Sequence, residues 1–281
     1  MDRQEALAKL QATELEILVA FSNYCRKHNI LWFMDSGTVL GAKRHGGFIP
    51  WDDDIDVGML RADYDRFIRL SQSGFIEGYS VHTPDNTEGF AGMFAKIYKD
   101  GTSFDTEETL HAGLKQGIFI DIFPYDYLPA DQKADHRLRR GARFWQSVSY
   151  LYHSPVIVVP HKGFVGRLER FACRLAHRVV RRASNPKRIT KKYMSAISFG
   201  GERSDLLLPL AWPNIEGVPE TVLVPTSVLE FEGVRLPAPA QPERYLELMY
   251  GDWETLPAPE DRRTHLPVRL DFGDGTYWLN S

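Results

Sequence analysis

Apolar residues at the start of the chain recur at helical spacing. Leu7, Leu10, Leu15, Leu18, Phe21 and Cys25 form one stripe and predict an amphipathic helix over residues 3–28. The pattern then shortens. ILWFM (30–34) is an apolar run of strand length, broken by Asp35-Ser36-Gly37-Thr38. VLGAKRH (39–45) reads as a short helix and GGFIPW (46–51) as a loop. From Asp54 to Met59 the period becomes two: Ile55, Val57 and Met59 point one way along a strand, and Asp54, Asp56 and Gly58 the other. A helix over 62–71 follows, with Tyr64, Phe67, Ile68 and Leu70 apolar. Strands are predicted at 79–83, 91–98 and 117–126. In the last, Ile118, Ile120 and Ile122 share one face, and Phe119, Asp121 and Phe123 the other.

The second half of the chain is less regular. Residues 131–153 and 163–182 predict two helices joined by the apolar stretch SPVIVVP (154–160). Gly and Pro become frequent after 200. VLVP (222–225) and VLEFEGVRL (228–236) look like short strands, and 242–250 like a helix closed by Gly251. PAPEDRRTHLP (257–267) reads as an irregular tail.

Composition narrows the class. Of the 281 residues, 43% are hydrophobic and 12% aromatic, so a substantial core is expected and global disorder is excluded. Cys25 and Cys173 are too few for a disulfide scaffold or a cysteine zinc site, and a reducing compartment is the simplest reading. There is no apolar run fit for a signal peptide, and no stretch near the ~20 apolar residues that cross a bilayer. A soluble, cytoplasmic protein is expected, peripheral at most to the inner face of the membrane. The net charge of −3 is unevenly spread. His161 to Tyr193 holds 11 Lys or Arg and one acid, Glu169; the remaining 23 basic and 36 acidic residues leave −13 elsewhere.

The strongest chemical signal is the carboxylate cluster Asp52, Asp53, Asp54 and Asp56. Asp54 and Asp56 share a strand face roughly 7 Å apart at the backbone. Carboxylate oxygens near 5 Å repel by roughly 3 kcal/mol at an effective dielectric of 20. Such a pair is either solvated or given a cation. A solvated acidic turn is the plain reading. A calcium loop is a second: Asp52, Asp54 and Asp56 match its first three ligand positions, but Val57 stands where the sharp turn needs glycine and Asp63 where a bidentate Glu is expected. A third reading is catalytic. Two Asp on one strand and Asp121 on a neighbour suit Mg²⁺ or Mn²⁺, and the ion would bridge nucleotide phosphates. Gly37-Thr38, opening a short helix, offers backbone N–H groups to a phosphate. An isolated Asp inside so apolar a strand as 117–126 itself needs a partner.

The span Gly37-Thr38-Val39-Leu40-Gly41-Ala42-x-Arg44-His45-x-Gly47-Phe48-Ile49-Pro50-Trp51-Asp52-Asp53-Asp54-Ile55-Asp56 resembles the signature of the LicD family, a branch of the nucleotidyltransferase superfamily that includes fukutin-related proteins. Ile120-Asp121-Ile122-Phe123-Pro124 is similar to that family's third carboxylate strand. Met249-Tyr250-Gly251-Asp252-Trp253, followed by Pro257, Arg262 and His265, resembles its C-terminal motif. The resemblance implies an α+β fold with a nucleotidyltransferase-like mixed β-sheet core and helical additions. Residues 1–130 would form the core with its N-terminal helix, 131–205 a helical subdomain, and 206–281 a segment packing back on the core as one compact unit. It also implies transfer of a phospho-alcohol such as phosphocholine from a CDP-activated donor (CDP-choline, for example) to a sugar hydroxyl of a cell-surface glycan, such as lipopolysaccharide, teichoic acid or capsule. By that resemblance Asp54 and Asp56 hold the metal, and Asp121 completes the set or deprotonates the acceptor.

Other residues have both a chemical and a plain reading. Lys43, Arg44 and His45 either grip the donor phosphates or solvate a helix end whose dipole suits them. Lys96 lies within the apolar stretch FAKIY and needs a counter-charge, a phosphate or one of the Asp. Arg262 and His265 lie in the Pro-rich tail, placed to close over a site. Trp51 and Trp253 read as packing residues, or as aromatics that stack on a base or cup a quaternary ammonium. The helix 163–182 carries Phe164, Leu168, Phe171, Leu175 and Val179 on one face and Arg on the rest. It either packs on the core with a charged outer face or docks on anionic lipid, which would suit a lipid-linked glycan acceptor. No nucleic-acid motif is present, and no nucleic-acid partner is expected. A metal-dependent glycosyltransferase using Asp-x-Asp, and an inactive nucleotide- or glycan-binding module, remain as alternatives.

Overall fold

The structure is a computed structural model describing residues 1–154, 163–211, 215–262, 264 and 266–280, with backbone only at 163–166 and 168–170. In chain order, α1 (Arg3–Lys27) leads through β1 (Phe33–Met34) and α2 (Ser36–His45) to β2 (Asp56–Leu60), α3 (Arg61–Gln72) and β3 (Tyr79–His82). Next come β4 (Ala95–Lys99), β5 (Ser103–Asp105), α4 (Glu107–Ala112) and the long β6 (Phe119–Pro129). Three helices follow, α5 (Gln132–His153), α6 (Gly163–Ala183) and α7 (Pro186–Ile197). The chain returns through β7 (Arg203–Pro209), β8 (Val218–Pro219), α8 (Glu220–Leu223), β9 (Ser227–Phe231), β10 (Val234–Ala238) and α9 (Pro242–Tyr250). It closes with β11 (Arg269–Asp271) and β12 (Tyr277–Leu279).

Among the described residues the main sheet runs β1-β2-β6-β4-β3, with β7 added on β6 and β8 on β7. β2 and β6 are parallel and the other pairings antiparallel, so the fold is α+β with a mixed sheet. β6 serves two antiparallel partners in turn: Phe119–Ile122 pair with β4 and Tyr125–Pro129 with β7. Its apolar alternation explains this central place. Ile118, Ile120 and Ile122 are fully buried, and Phe119, Asp121 and Phe123 point the other way.

Two apolar clusters hold the molecule. The larger packs α1, α2 and α3 with the sheet. The smaller joins Leu138 and Ala142 of α5, Ile189 and Tyr193 of α7 and Leu208 of β7 to Phe90, Met93 and Phe94 of the loop before β4. The β9–β10 hairpin turns on Glu232-Gly233, both at positive φ, as a two-residue hairpin with right-handed strand twist requires. Its Glu232 accepts the Phe48 N–H at 3.0 Å and donates its own N–H to Gly46 O at 2.9 Å. A Cβ on Gly47 would collide with that carboxylate, which gives this glycine a packing reason.

Several elements differ from the sequence reading. VLVP is not a strand: Val222 and Leu223 close the one-turn helix α8. Pro219 precedes that turn and Glu220 suits its positive end, and these outweigh the β-branched residues. β4 begins at Ala95, because Ala91–Phe94 are loop; β2 begins at Asp56, so Asp54 precedes the strand. The apolar linker between α5 and α6 lies mostly outside the described residues. α6 rests on α5 through His177, whose Nδ1 is 2.7 Å from Leu151 O, and through Arg181 over the Tyr152 ring. Of its apolar stripe, the side chains of Phe164 and Leu168 lie outside the described residues, and Phe171, Leu175 and Val179 are 64%, 54% and 57% exposed rather than buried as in a core-packed helix. Among the described residues no helix is long and apolar enough to cross a membrane.

Candidate active site

Pairing register builds the site. Asp56 of β2 lies directly opposite Asp121 of β6, and Asp121 directly opposite Lys96 of β4. Three titratable side chains therefore stand in a row on one face of three neighbouring strands, each strand about 4.8 Å from the next. The row closes on itself chemically: Lys96 Nζ is 2.6 Å from Asp121 Oδ1. Lys96 Nζ also sits 3.3 Å from the Phe119 ring centroid, two residues along the same face of β6. The counter-charge expected for Lys96 is thus Asp121. Asp54 lies two residues ahead of the strand, and the Asp121 N–H holds the residue between them in place by donating to Ile55 O at 2.8 Å.

α2 fixes the other side. Asp35 caps this helix, accepting the Ser36 N–H at 2.7 Å and the Tyr125 hydroxyl at 2.8 Å, and it also accepts the hydroxyl of Tyr245 from α9. Its own N–H donates to Asp56 O at 3.0 Å. The Thr38 hydroxyl accepts the Asp56 N–H at 2.9 Å, so Thr38 positions the carboxylate strand, and the Thr38 N–H is taken by Asp35 O. Gly37 lets Asp52 come against the start of the helix, because a Cβ there would lie 3.0 Å from Asp52 Oδ2. Burial raises the Asp35 pKa, and its hydroxyl and amide donors work against that rise.

The cluster is crowded with negative charge. Asp56 is pushed well above the usual carboxylate range by burial, then by Asp54 and Asp121. Asp52 is raised to about 8 by burial, Asp54 and Asp53. Asp121 rises to about 6 through burial, moderated by Lys96. A further acid was not read from the sequence. Glu14 of α1 is 0% exposed, neither of its oxygens has a hydrogen-bond partner, and burial followed by Asp54, Asp53, Asp52 and Asp121 raises its pKa well above the ordinary value. Its signal was its place on the helix, four residues from both Leu10 and Leu18 on the buried stripe.

The donor set is all carboxylate oxygen, which hard divalent cations prefer, and a cation would relieve the repulsion that raises Asp52 and Asp56. The residues therefore fit Mg²⁺ or Mn²⁺ in chemistry and register. Among the described residues no three acidic, His or Cys side chains are already drawn together as a metal cage.

The basic residues spread along one rim. Lys43 turns to Glu243 of α9, with Nζ 2.5 Å from Oε1. Arg44 donates to Trp253 O at 3.0 Å and to His45 Nε2 at 3.1 Å. His45 lies edge-on to Trp51, and the Arg262 guanidinium sits 4.6 Å from the Trp51 ring centroid. Arg44, His45, Trp51, Trp253 and Arg262 are thereby brought together, tying the C-terminal segment to the carboxylate loop. Tyr250 belongs to the same edge. Its phenol pKa is raised by burial and then by Asp56, Asp35, Asp52 and Asp54. His265 lies outside the described residues. Beside Asp53, Asp54 and Lys96 opens a cavity of about 350 Å³, whose lining includes Phe90 and Phe94 of the loop before β4, Phe104 of β5, Phe119 of β6 and Tyr150 of α5.

Residues 29–164 match the model of the LicD/FKTN/FKRP nucleotidyltransferase domain. The C-terminal motif lies beyond that match. The chain is 37% identical over 138 residues to the lipopolysaccharide cholinephosphotransferase LicD of Haemophilus influenzae, covering 49% of this chain and 51% of that protein. It is 26% identical over 144 residues to the human ribitol 5-phosphate transferase FKRP, covering 49% of this chain and 25% of that protein. An uncharacterized protein of Rickettsia typhi is 51% identical over 55 residues, 20% of this chain and 18% of its own. The chain thus spans about half the length of the first relative and a quarter of the second.

Proposed function

With residues 29–164 a domain of the LicD/FKTN/FKRP nucleotidyltransferase family, we propose that this chain is a metal-dependent phosphotransferase that moves a phospho-alcohol from a CDP-activated donor to a sugar hydroxyl of a cell-surface glycan. The observation that carries the reading is the in-register row Asp56–Asp121–Lys96, with Asp54 one step ahead of it.

Asp54 and Asp56, with Asp121, would hold the Mg²⁺ or Mn²⁺. When bound, the ion neutralises phosphate charge and steadies the leaving nucleotide. Asp121 takes the proton of the acceptor hydroxyl on its carboxylate, and Lys96 keeps that carboxylate ionised near neutral pH until it does so. The acceptor oxygen bonds to the phosphorus that carries the alcohol, the bond from that phosphorus to the CMP oxygen breaks, and CMP leaves with the electron pair. Arg44, His45 and Arg262 line the rim from which the donor phosphates are bound, with Lys43, Gly37 and Thr38 supporting α2 beneath them. The relatives' printed activities, cholinephosphate and ribitol 5-phosphate transfer, both belong to this reaction class.

A lipid-linked acceptor is supported by α6. The exposed Phe171, Leu175 and Val179 are flanked by exposed Arg174, Arg178 and Arg182, a face suited to anionic lipid. The test of the main reading is release of CMP from a panel of CDP-alcohols with Mg²⁺ and a glycan acceptor. Release of UDP or GDP from nucleotide sugars instead would replace it with sugar transfer.

A further inference from the structure

Helix α1 carries a carboxylate in the middle of its buried face. Glu14 lies four residues from both Leu10 and Leu18, all three are 0% exposed, and neither oxygen of Glu14 has a hydrogen-bond partner. The helix is tied down on either side of this position. Gln11 Nε2 donates to Asp52 O at 2.9 Å, and Glu16 Oε2 lies 2.5 Å from Lys99 Nζ of β4. The charges that bear on Glu14 are all negative, Asp54 first, then Asp53, Asp52 and Asp121. We propose that Glu14 is a direct ligand of the divalent ion alongside Asp54, so that α1, which precedes the matched domain, completes the cation site. The inference rests on the metal-dependent reading above and adds to it a ligand from outside the matched residues.

Three observations support it. A fully buried carboxylate with no donor is costly when ionised, and a neutral carboxyl in the same place leaves its O–H without an acceptor, so neither form is satisfied by the protein alone. A cation bound to its oxygens satisfies the ionised form. Secondly, Asp121 already answers to an ammonium, with Lys96 Nζ 2.6 Å from Oδ1, and that charge repels a second cation. Among the described residues no Lys, Arg or His pairs with Glu14, so it can give the ion the negative charge that Lys96 withholds in Asp121, which is left to act as the base. Thirdly, Asp54 is the foremost charge acting on both Glu14 and Asp56, which makes it the carboxylate common to the helix side and the strand side of the cluster. Among the described residues these side chains are not gathered into a cage, and like charges keep apart until an ion is added.

The test is Mn²⁺ binding to the full chain, read from the loss of the free-ion EPR signal with no donor or acceptor present. Glu14→Gln keeps the shape of the side chain, and its melting transition in EDTA shows that it folds. It should bind Mn²⁺ at least about tenfold more weakly than wild type, because even the groups that support a metal's ligands are worth that much. Glu14→Asp keeps the charge but draws it back by one methylene, and should also weaken binding severalfold. Glu16→Gln removes an exposed charge of the same helix that water and salt screen, and should change affinity by less than about twofold. Wild-type affinity in Glu14→Gln overturns the assignment, since the ion then gains nothing from this carboxylate. Wild-type affinity in Glu14→Asp overturns it too, since the charge then acts without contact. A wild-type chain that binds no Mn²⁺ overturns the metal-dependent reading itself.

Discussion

Lys96 and Asp121 face each other across β4 and β6 with Nζ 2.6 Å from Oδ1, their side chains only 12% and 13% exposed. A pair this enclosed is costly to break from one side, because the charge left behind has no water to return to. Lys96→Met should therefore lower stability by about 3 kcal/mol at pH 7, and Lys96→Met combined with Asp121→Asn should lose less than Lys96→Met alone. Urea denaturation measures both. A double variant as unstable as the sum of the single changes would mean the two side chains act independently.

The buried acids set a pH dependence of stability. Asp52, Asp56 and Glu14 have native pKa values raised above their unfolded ones, so between the two values the folded chain binds more protons. The stability they contribute is fully present below the unfolded values near 4 and is lost as pH rises, for Asp52 up to about 8. The melting temperature in EDTA should fall from pH 5 to pH 8. Glu14→Gln should raise it at pH 8 and leave it unchanged at pH 5, and millimolar Mg²⁺ should flatten the slope. A melting temperature that climbs over this range would contradict the crowding described here.

Asp35 depends on its two tyrosines. Tyr245→Phe removes one hydroxyl donor from a buried carboxylate that also caps α2, at a cost of about 2 kcal/mol, the range for hydrogen bonds to charged groups. Because Asp35 N–H is bonded to Asp56 O, activity should fall together with stability. An unchanged melting temperature would show that Tyr245 contributes little to Asp35.

The exposed stripe of α6 predicts binding to vesicles containing phosphatidylglycerol, weakened by salt and weak on pure phosphatidylcholine. Phe171→Glu with Leu175→Glu should abolish co-sedimentation without altering the melting temperature. Failure of the wild-type chain to bind anionic vesicles, or a stripe-dependent dimer in light scattering, would remove the lipid reading.

Much of the site was legible because strand periodicity is strict. Alternation from Ile55 to Met59 and from Ile118 to Phe123 put Asp56 and Asp121 on matching faces, and pairing register set them opposite each other, whereas Asp54, read as part of the strand, precedes it. Glu14 escaped because its carboxylate hides on a helix face that the stripe Leu7, Leu10, Leu15 and Leu18 drew slightly off its true centre. The bond from Arg44 to Trp253, the stack of Arg262 on Trp51 and the Tyr245–Asp35 contact join residues about 200 positions apart, which no local pattern encodes. α4 went unread because six residues are too few for periodicity, and β11 and β12 because three-residue strands leave no alternation to see. α6 was legible as amphipathic but not as outward-facing, since spacing alone does not say which medium meets an apolar stripe.

The central claim is that the carboxylates at 54, 56 and 121 act together with a divalent ion on a CDP-activated donor. It is tested most directly by CMP release from CDP-choline and a glycan acceptor, measured for the wild-type chain with Mg²⁺ and with EDTA, and for Asp54→Asn, Asp56→Asn and Asp121→Asn with Mg²⁺. The account predicts CMP only from the wild-type chain with Mg²⁺, with each variant folded and at least 100-fold slower, about 2.7 kcal/mol of transition-state stabilisation. Wild-type rates in EDTA, or in any one of the three variants, would contradict it.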